Sequence, residues 1–255
     1  MHRVLVVLSC FFLALACDPG ANHDEISVAD AAANCRSLEH LGDAYMVCAF
    51  SVGDHDIRLF HSDAEGQPYL QFSTLERELD ERGEVLLFAM NAGMYHEDRS
   101  PVGFYRDGFG DRARVNTNDG PGNFHLRPNG VFWIDADRAG VTESQAYLDQ
   151  AIEPVYATQS GPMLVIDGEL HPGLNPQGTS HRRRNGVGVS EDASMIYFAI
   201  SDSAVTFHDF ATLFRDVIGV PNALFLDGQI SRIYAPEINR NEIGQDLGPI
   251  VGVVE

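Results

Sequence analysis

The sequence contains no lysine: its 255 residues carry 17 basic side chains, and all of them are arginines. Without that amine the chain cannot form a Schiff base on lysine or use a lysine as general base. It also cannot build a phosphate-binding P-loop, whose lysine contacts the phosphates. Arginine is therefore the only fixed cation with which this protein can hold an anion.

Positive charge of any kind is scarce, because 37 acidic residues outnumber the arginines and give a formal net charge of -20. A protein that binds nucleic acid neutralises phosphates with a basic surface, and the electrostatic field here has the opposite sign. We therefore expect no nucleic-acid partner. A hydrophobic content of 44% with 21% charged residues is ordinary for a globular protein, so disorder does not explain the acidity.

Cysteine is rare as well, and two of the four cysteines lie in an N-terminal segment typical of export signals. Arg3 precedes an apolar run, residues 4–15, that is too short to span a bilayer. The ending Leu-Ala-Leu-Ala-Cys resembles a bacterial lipobox, which predicts a signal peptide at 1–16 and a lipidated Cys17; ordinary signal cleavage nearby is the alternative. The protein is thus expected in the bacterial envelope, at the periplasmic face as a lipoprotein, or else secreted in soluble form.

The two remaining cysteines, Cys35 and Cys48, are the candidates for a disulfide. An exported chain with two thiols usually joins them. The loop that they would close is short, and a chain-entropy estimate gives it about 3 kcal/mol of stabilisation. Two buried free thiols are the alternative.

The domain organisation follows from composition. Residues 17–34 are small, polar and acidic, which is typical of a flexible tether. Residues 35–255 contain no repeat and no linker rich in proline or serine, so they are predicted to form one domain. Two apolar runs in it, 85–90 and 223–226, are too uniformly apolar for surface strands and are predicted to be central strands of one sheet covered on both faces. The predicted class is α+β, a single domain with a mixed, largely buried β-sheet and a few flanking helices.

A helical pattern precedes each apolar run. Ser73 or Thr74 is predicted to cap the first helix, which Gly83 ends. Thr206 with Asp209 resembles a capping box at the start of the second. These signals predict that helices flank the central strands.

Shorter strands lie between the two runs. Residues 163–166 with the turn 167–168 are predicted to form one hairpin arm, and residues 187–190 with 195–200 a second hairpin. The segment 95–127 is rich in Gly, Asp, Asn and Arg and has no periodicity. A loop of that length is uncommon unless it is functional.

Small polar residues follow the apolar segments, where sheets commonly place their ligands. They supply carboxylates, a guanidinium, amides and hydroxyls, an inventory that suits hydrolysis of a polyhydroxylated substrate, neutral or anionic. Two carboxylates that flank a glycosidic bond are the usual apparatus for cleaving it. Asp202 and Asp227 are the candidate pair, and a turn or capping role is the alternative for each.

The arginine triplet 182–184 is the candidate anion anchor. In so acidic a chain an anionic substrate is repelled everywhere except where guanidinium groups gather. A solvated run is the alternative, and Arg99 and Arg106 are further candidates. No cofactor or metal is predicted, because His96, Glu97 and Asp98 are adjacent and point in different directions and no histidine spacing suggests ligands; a metal-dependent phosphodiesterase remains an alternative.

A serine nucleophile is not favoured. Ser160 lies in Gln-Ser-Gly-Pro rather than in a Gly-x-Ser-x-Gly elbow, and no histidine is placed by a comparable signal.

Taken together, seven short motifs resemble those of the phosphodiester glycosidase family, in particular its bacterial exported members. The resemblance covers about 35–254, and it implies a mixed α+β fold and hydrolysis of a sugar 1-phosphodiester or a related glycosidic linkage in an envelope or extracellular glycan. The motifs are Asn91-Ala-Gly-Met-Tyr95, Arg99-Ser-Pro-Val-Gly103, Asp119-Gly-Pro-Gly-Asn123, Pro128-Asn-Gly-Val-Phe132, Thr158-Gln-Ser-Gly-Pro-Met163, Arg184-Asn-Gly-Val-Gly188 and Leu226-Asp-Gly-Gln-Ile-Ser231.

The resemblance also implies which residues form the site. We expect Asp227 to act as nucleophile or base, Asp202 as partner acid, and Arg184 as the group that holds the phosphate or another anion. Gln229 departs from the family, which commonly has a second glycine there, so substrate identity is more open than reaction class. The positions expected to contact substrate are Asn91, Thr158, Ser160, Gly161, Arg184, Asn185, Gly228 and Ser231.

One alternative of a different class remains open at this point. A carbohydrate-binding or envelope-assembly lipoprotein could keep the same pocket without catalysis. An enzyme turns over a glycan phosphodiester, whereas a binding module only retains it. The sequence indicates neither the glycan nor the oligomeric state.

Overall fold

β-Strands are the main secondary structure of the protein in the computed structural model, which describes residues 34–255. They are β1 (Cys35–His40), β2 (Asp43–Ser51), β3 (Asp56–Phe60), β4 (Leu86–Asn91), β5 (Tyr105–Asp107), β6 (Gly110–Ala113), β7 (Gly130–Ile134), β8 (Ala139–Glu143), β9 (Tyr156–Ser160), β10 (Met163–Ile166), β11 (Glu169–Leu170), β12 (Asn185–Val189), β13 (Met195–Ser201), β14 (Asn222–Asp227), β15 (Ile233–Ala235), β16 (Arg240–Asn241) and β17 (Ile250–Val254).

The helices of the described residues are short and lie outside the sheets. The α-helices are α1 (Phe72–Glu81), α2 (Ser144–Asp149) and α3 (Phe207–Thr212). A π-helical turn, Leu213–Ile218, continues α3, and single 3-10 turns occur at Asn123–His125 and Pro236–Ile238. None of the helices between 34 and 255 is both long and apolar enough to cross a membrane.

The strands form three sheets. A seven-stranded sheet has the order β1-β2-β13-β12-β14-β10-β11, and two five-stranded sheets have the orders β16-β15-β4-β17-β3 and β6-β5-β9-β7-β8. All strand pairs in the described part of the chain are antiparallel. The predicted α+β class, with largely buried strands and few helices in a single domain, is confirmed. The expected mixed sheet is wrong, because the strands of residues 34–255 form three sheets that are each antiparallel.

The main core lies where the three sheets face one another. Phe88 of β4 stacks on Phe198 of β13 with ring centroids 5.2 Å apart, and Phe132 of β7 meets the same ring at 6.0 Å. Each sheet therefore contributes an aromatic ring to one cluster of fully buried side chains. Burial of such rings is the main source of stability in a core of this kind.

Two helices cover the outer faces. In α1 the residues Phe72, Leu75 and Leu79 recur at helical spacing and pack on the sheet that contains β4. In α3 and its continuation, Phe210 and Phe214 pack on the outer face of the seven-stranded sheet. The helices thus cover the outer faces of two sheets, which leaves the ends of the strands as the place for a site.

The expectation that the two apolar runs share one sheet is wrong. Residues 86–91 form β4 inside a five-stranded sheet, and residues 222–227 form β14 inside the seven-stranded sheet. Both strands are covered on both faces, which explains why both sequences are uniformly apolar. A uniform apolar run reports burial and does not report which sheet the strand joins.

The cap of the first helix also differs from expectation. Gln71 is the N-cap residue of α1, and neither Ser73 nor Thr74 caps it. The Gln71 side chain instead donates to Asp246 and to the carbonyl of Gly244. Gly83 follows the helix with a positive φ of 75°, in agreement with the predicted end.

The second helix begins as predicted. The backbone N–H of Asp209 donates to Thr206 Oγ1, and that hydroxyl donates to the Asp209 carboxylate at 2.8 Å. Both predicted hairpin elements are also present, β10 with its turn at 167–168 and β12 with β13. The segment 95–127 contains a small hairpin, β5 with β6, so it is not one continuous loop.

The predicted disulfide is confirmed. Cys35 of β1 is directly opposite Cys48 of β2, and their sulfurs are bonded. It joins an edge strand to its neighbour. The predicted signal peptide at 1–16 and lipidated Cys17 lie outside the described residues, as does all but the last residue of the predicted tether, 17–34.

Candidate functional site

Three strand ends from two sheets meet at one point. β4 ends at Asn91, β12 begins at Asn185, and β14 ends at Asp227, which is paired with Asn185. Asn185 Nδ2 donates to the carbonyl of Asn91 at 2.7 Å and so ties the two sheets together. The two apolar strands therefore bring their polar ends together even though they belong to different sheets.

Asn185 is the centre of this junction and is fully buried. Its side-chain oxygen accepts the backbone N–H of Asp227 at 3.0 Å, the hydroxyl of Ser231 at 3.3 Å and Nδ2 of Asn91 at 3.4 Å. Ser231 also donates to the carbonyl of Asp227 at 3.0 Å. The amide thus orients the segment that carries Asp227.

The carboxylate of Asp227 lies in a tight turn with the residues that follow it. Its Oδ1 accepts the backbone N–H groups of Gly228 at 2.6 Å and Gln229 at 2.9 Å. Burial raises the pKa of Asp227, and the backbone N–H groups, including that of Ile230, oppose this shift. A carboxyl group with a raised pKa at a strand end is characteristic of functional sites.

Arg184 is fully buried beside this turn. Its Nε donates to the carbonyl of Val205 at 2.9 Å, its Nη2 donates to the carbonyl of Ser180 at 2.7 Å, and its guanidinium lies 3.6 Å from the ring centroid of Phe207. Burial, with a smaller contribution from Arg182, lowers its pKa to about 10, so the guanidinium stays charged at neutral pH.

No carboxylate among the described residues lies at ion-pair distance from the guanidinium of Arg184, so its charge has no counter-ion there. Its Nη1 is buried without a hydrogen-bond partner among those residues. A Cβ built on Gly228 would lie 3.3 Å from that nitrogen. An unpaired cation with a free donor therefore adjoins the Asp227 turn.

The arginine triplet does not act as one cluster. Arg183 makes two hydrogen bonds to the carboxylate of Glu242, at 2.8 and 2.7 Å, and Arg182 is exposed. Of the three, Arg184 is the one whose guanidinium lies beside the Asp227 turn. Arg106, named above as a further candidate, is paired with Asp111 and Glu153.

Asp202 lies outside the junction. Its carboxylate accepts a hydrogen bond from Arg240 at 2.8 Å, and its side chain is 36% exposed. Arg240 also pairs with Glu242, so Asp202 is the end of a surface ion-pair network. None of its hydrogen bonds within residues 34–255 reaches Asp227 or Arg184. The structure thus brings one of the two candidate carboxylates into the site, and the catalytic role of Asp202 stays a prediction.

The third sheet contacts the site through β9. Ser160 is fully buried and donates to the carbonyl of Leu226 at 2.9 Å, one residue before Asp227. Thr158 is buried against Gly93. A Cβ added to Gly93 would lie 2.5 Å from the hydroxyl oxygen of Thr158. Gly161 is packed equally tightly, since a Cβ there would lie 2.7 Å from the carbonyl of Phe124. These residues hold β9 against the strand ends.

One residue of the site is absent from the predicted set. Arg232 follows Ser231, and its backbone N–H donates to Oδ1 of Asn91 at 2.9 Å. Its side chain is only 5% exposed in total. The only sequence feature that indicates a role for Arg232 is its position next to the motif 226–231, and a single arginine there is not distinctive.

The described residues contain no metal-ligand cluster, and a large groove that they form lies away from the junction. No group of three or more His, Cys, Asp or Glu side chains there could hold a metal ion. A groove of about 710 Å³ lies on the third sheet, between Phe104, Arg114 and Tyr147, and shares no residue with the junction. The chemistry-bearing residues and this groove are thus separate features.

Comparison with known proteins gives one consistent result. The family model for phosphodiester glycosidases matches residues 85–247, a range that contains the strand ends and both buried arginines. A curated relative, the Escherichia coli (strain K12) protein YigE, named as uncharacterized, is 33% identical over 178 residues, which are 70% of this chain and 69% of that protein.

A solved structure has a similar fold. The catalytic domain of zebrafish N-acetylglucosamine-1-phosphodiester alpha-N-acetylglucosaminidase, auto-inhibited by its pro-peptide, superposes with a TM-score of 0.57. The match covers 86% of this chain and 81% of that one at 14% sequence identity. At that identity the likeness supports the fold alone.

Proposed function

Because the chain belongs to the phosphodiester glycosidase family, we propose that it hydrolyses the glycosidic bond of a sugar 1-phosphodiester. Asp227 is the proposed catalytic carboxylate, and Arg184 holds the phosphate. The observation that supports this assignment is the buried guanidinium of Arg184, which has no counter-ion within the described residues and a free donor beside the Asp227 turn. A phosphate oxygen supplies both the missing charge and the missing acceptor.

The proposed reaction breaks the bond between the anomeric carbon and the phosphate oxygen. Asp227 acts as nucleophile or as the base that activates water, and water supplies the hydroxyl of the released sugar. The phosphate monoester leaves as an anion, and its second pKa is about 6, so it needs charge stabilisation more than a proton. Arg184 provides that stabilisation, which makes a second carboxylate at the leaving oxygen dispensable.

The remaining residues orient these two groups. Asn185 and Ser231 hold the Asp227 segment by hydrogen bonds to its backbone. Ser160 and Thr158 hold β9 beside it, and in the proposal the second donor hydrogens of the two asparagine amides, Asn91 and Asn185, face sugar hydroxyls. Burial raises the pKa of Asp227, so its base form needs a higher pH than an ordinary aspartate, and activity should fall as the pH drops through that raised value.

Substrate entry requires a local movement in this proposal. The Nη1 atom of Arg184 is covered, and Gly228 is the residue next to it in the turn after β14. An outward shift of the turn 228–230 would open the guanidinium to a phosphate. Glycine suits such a turn because it has no side chain to clear.

Replacement of Asp227 with Asn tests the proposal. The amide keeps the shape of the side chain and removes the charge, so release of free sugar from a sugar 1-phosphodiester should fall by about 100-fold to 10,000-fold. Release should be measured in a correctly folded variant, across phosphodiesters of several sugars. Turnover equal to that of the unaltered chain would eliminate the role of Asp227.

Replacement of Asp202 with Asn is the matched control. If Asp202 is only the end of a surface ion-pair network, its loss should change turnover less than about threefold, in line with the small energies of exposed ion pairs. A loss as large as that of the Asp227 variant would restore Asp202 as the partner acid.

A non-catalytic carbohydrate-binding lipoprotein is the second candidate function. It is the function to adopt if the chain retains glycan phosphodiesters without releasing sugar.

We also propose that the chain is exported and lipidated at Cys17, as its N-terminal pattern and the Cys35–Cys48 disulfide support. Mass spectrometry of the mature N-terminus would find an unmodified residue there if this part is wrong.

A further inference from the structure

Arg232 is a second buried arginine at the junction. It is 5% exposed, and its Nε and Nη2 are buried without a hydrogen-bond partner among residues 34–255. Its third nitrogen, Nη1, donates to the side-chain oxygen of Gln71 at 2.9 Å, and its guanidinium lies 5.4 Å from the ring centroid of Phe72. The side chain is thus held in place by one neutral bond and one aromatic ring.

The charge of Arg232 is also unmatched at close range. Within the described residues no carboxylate lies at ion-pair distance, although Glu242 and Asp246 are in the neighbourhood. Burial lowers its pKa, and Tyr95, Glu242 and Asp246 raise it. A buried donor without a partner is unfavourable, and each such group in a native protein needs an explanation.

The position of Arg232 connects it to the proposed site. Its backbone N–H donates a hydrogen bond to the side chain of Asn91, and the hydroxyl of the preceding Ser231 donates one to the carbonyl of Asp227. Tyr95 lies in the same region, because its hydroxyl donates to the carbonyl of Asp246, and the side chain of Asp246 accepts from Gln71, the partner of Arg232.

The two buried arginines approach the junction from different sides. Arg184 packs on Phe207 and Phe225, on the side covered by α3, whereas Arg232 packs on Phe72 of α1. Arg184 precedes Asn185, the backbone of Arg232 is hydrogen-bonded to Asn91, and these two asparagines are hydrogen-bonded to each other. One phosphate held by Arg184 therefore leaves the donors of Arg232 free.

We propose that Arg232 forms a second oxyanion subsite, so that the substrate carries an anionic group in addition to its phosphodiester. The proposal rests on the proposed function for the first subsite. The second anion is a phosphate or a carboxylate elsewhere on the sugar or its aglycone, which the Nε and Nη2 atoms of one guanidinium can bind side by side. Arg232 is then a specificity-determining residue of the reaction.

Calorimetric titration of the whole chain with three ligands tests the subsite without requiring turnover. The ligands are a hexose 1-phosphate, the hexose 1,6-bisphosphate and the 1-phosphate of the corresponding hexuronic acid. We expect at least one of the two ligands that carry a second anionic group to bind about tenfold more tightly than the hexose 1-phosphate, the amount expected for a charge-assisted hydrogen bond pair. Which of the two does so identifies the second anion.

The variant Arg232→Gln should remove this preference, so that the three ligands bind it about equally, whereas Arg184→Gln should weaken all three ligands. Arg232→Met, whose apolar stem can still pack on Phe72, serves if the glutamine variant folds poorly. Arg77→Gln removes an exposed arginine of α1 and is the matched control. It should keep the preference.

The proposal is overturned if the unaltered chain shows no preference for either ligand with a second anionic group, or if a folded Arg232 variant keeps the preference. Its failure is distinct from failure of the proposed function. An Arg232-dependent preference in a chain that hydrolyses nothing would refute catalysis and support the subsite. Hydrolysis by a chain that prefers none of the ligands would support catalysis and refute the subsite.

Discussion

Gly228 is a residue at which the proposed site leaves no room for a side chain. A Cβ added there would lie 2.8 Å from Cζ of the Phe225 ring and 3.3 Å from Nη1 of Arg184. Phe225 is fully buried, so it cannot move aside freely. We expect Gly228→Ala to displace the guanidinium, to lower turnover of a sugar 1-phosphodiester at least tenfold, and to cost about 1 to 3 kcal/mol of stability by overpacking.

Gly108→Ala is the control for this substitution. Gly108 is exposed, and a Cβ built on it meets nothing within 4 Å. Steady-state kinetics and urea unfolding of both variants should separate them clearly. Equal behaviour of the two alanine variants would mean that Gly228 does not hold Arg184 in place.

At the residue scale, the sequence predicts an anion anchor where the chemistry is distinctive, and that role stays a prediction. The arginine triplet was expected to hold one anion, and Arg184 is the member that reaches the junction. Adjacent residues alternate in direction along a strand and its approach, so the three arginines cannot all face one site. Which of them lies beside the Asp227 turn and which pairs with Glu242 depends on long-range packing, which the sequence pattern does not report. Arg232 was missed because its two buried free donors are a property of packing and have no signature in sequence.

At the scale of elements, α3 positions the site through its first residue. Thr206 caps this helix, and Phe207 presents its ring to the guanidinium of Arg184. Loss of the capping hydroxyl in Thr206→Ala should lower the free energy of unfolding by about 1 kcal/mol, measured by urea denaturation. It should also weaken phosphate binding, because the helix end that carries Phe207 is loosened.

Thr206→Ser provides the comparison, because serine keeps the capping oxygen. Its unfolding free energy should stay within about 0.5 kcal/mol of the unaltered chain. If alanine and serine destabilise the chain equally, the contribution of Thr206 comes from its methyl group and the capping account is wrong.

Local elements were predictable because their signals are local. The Thr206–Asp209 box and the turn at 167–168 each depend on a few neighbouring residues, and both are present in the structure. Assembly of the sheets was not predictable in the same way. β4 and β14 have equally apolar sequences, and only long-range packing assigns them to separate sheets.

At the scale of the whole molecule, the excess of acid should make stability depend on salt. A net charge of -20 repels itself in the compact state, and many of the arginines already have a carboxylate partner. Raising sodium chloride from about 10 mM to about 1 M shortens the Debye length from roughly 30 to roughly 3 Å. The unfolding temperature should therefore rise, by about 2 to 4 °C for each kcal/mol of repulsion removed.

A variant with three exposed acids neutralised is the control for this salt effect. Asp54→Asn, Glu65→Gln and Glu191→Gln remove charge from sites outside the junction. Its unfolding temperature should be higher at low salt and should respond less to added salt. A temperature that falls with salt in the unaltered chain would show that ion pairs outweigh self-repulsion.

The central claim is that the bond to the anomeric carbon is the one that breaks. Hydrolysis of a sugar 1-phosphodiester in water enriched in oxygen-18, followed by mass spectrometry of both products, tests it most directly. A glycosidase that uses Asp227 in the proposed way places the heavy oxygen in the released sugar and leaves the phosphate monoester unlabelled. Heavy oxygen in the phosphate, with unlabelled sugar, would mean cleavage at phosphorus and would contradict the account.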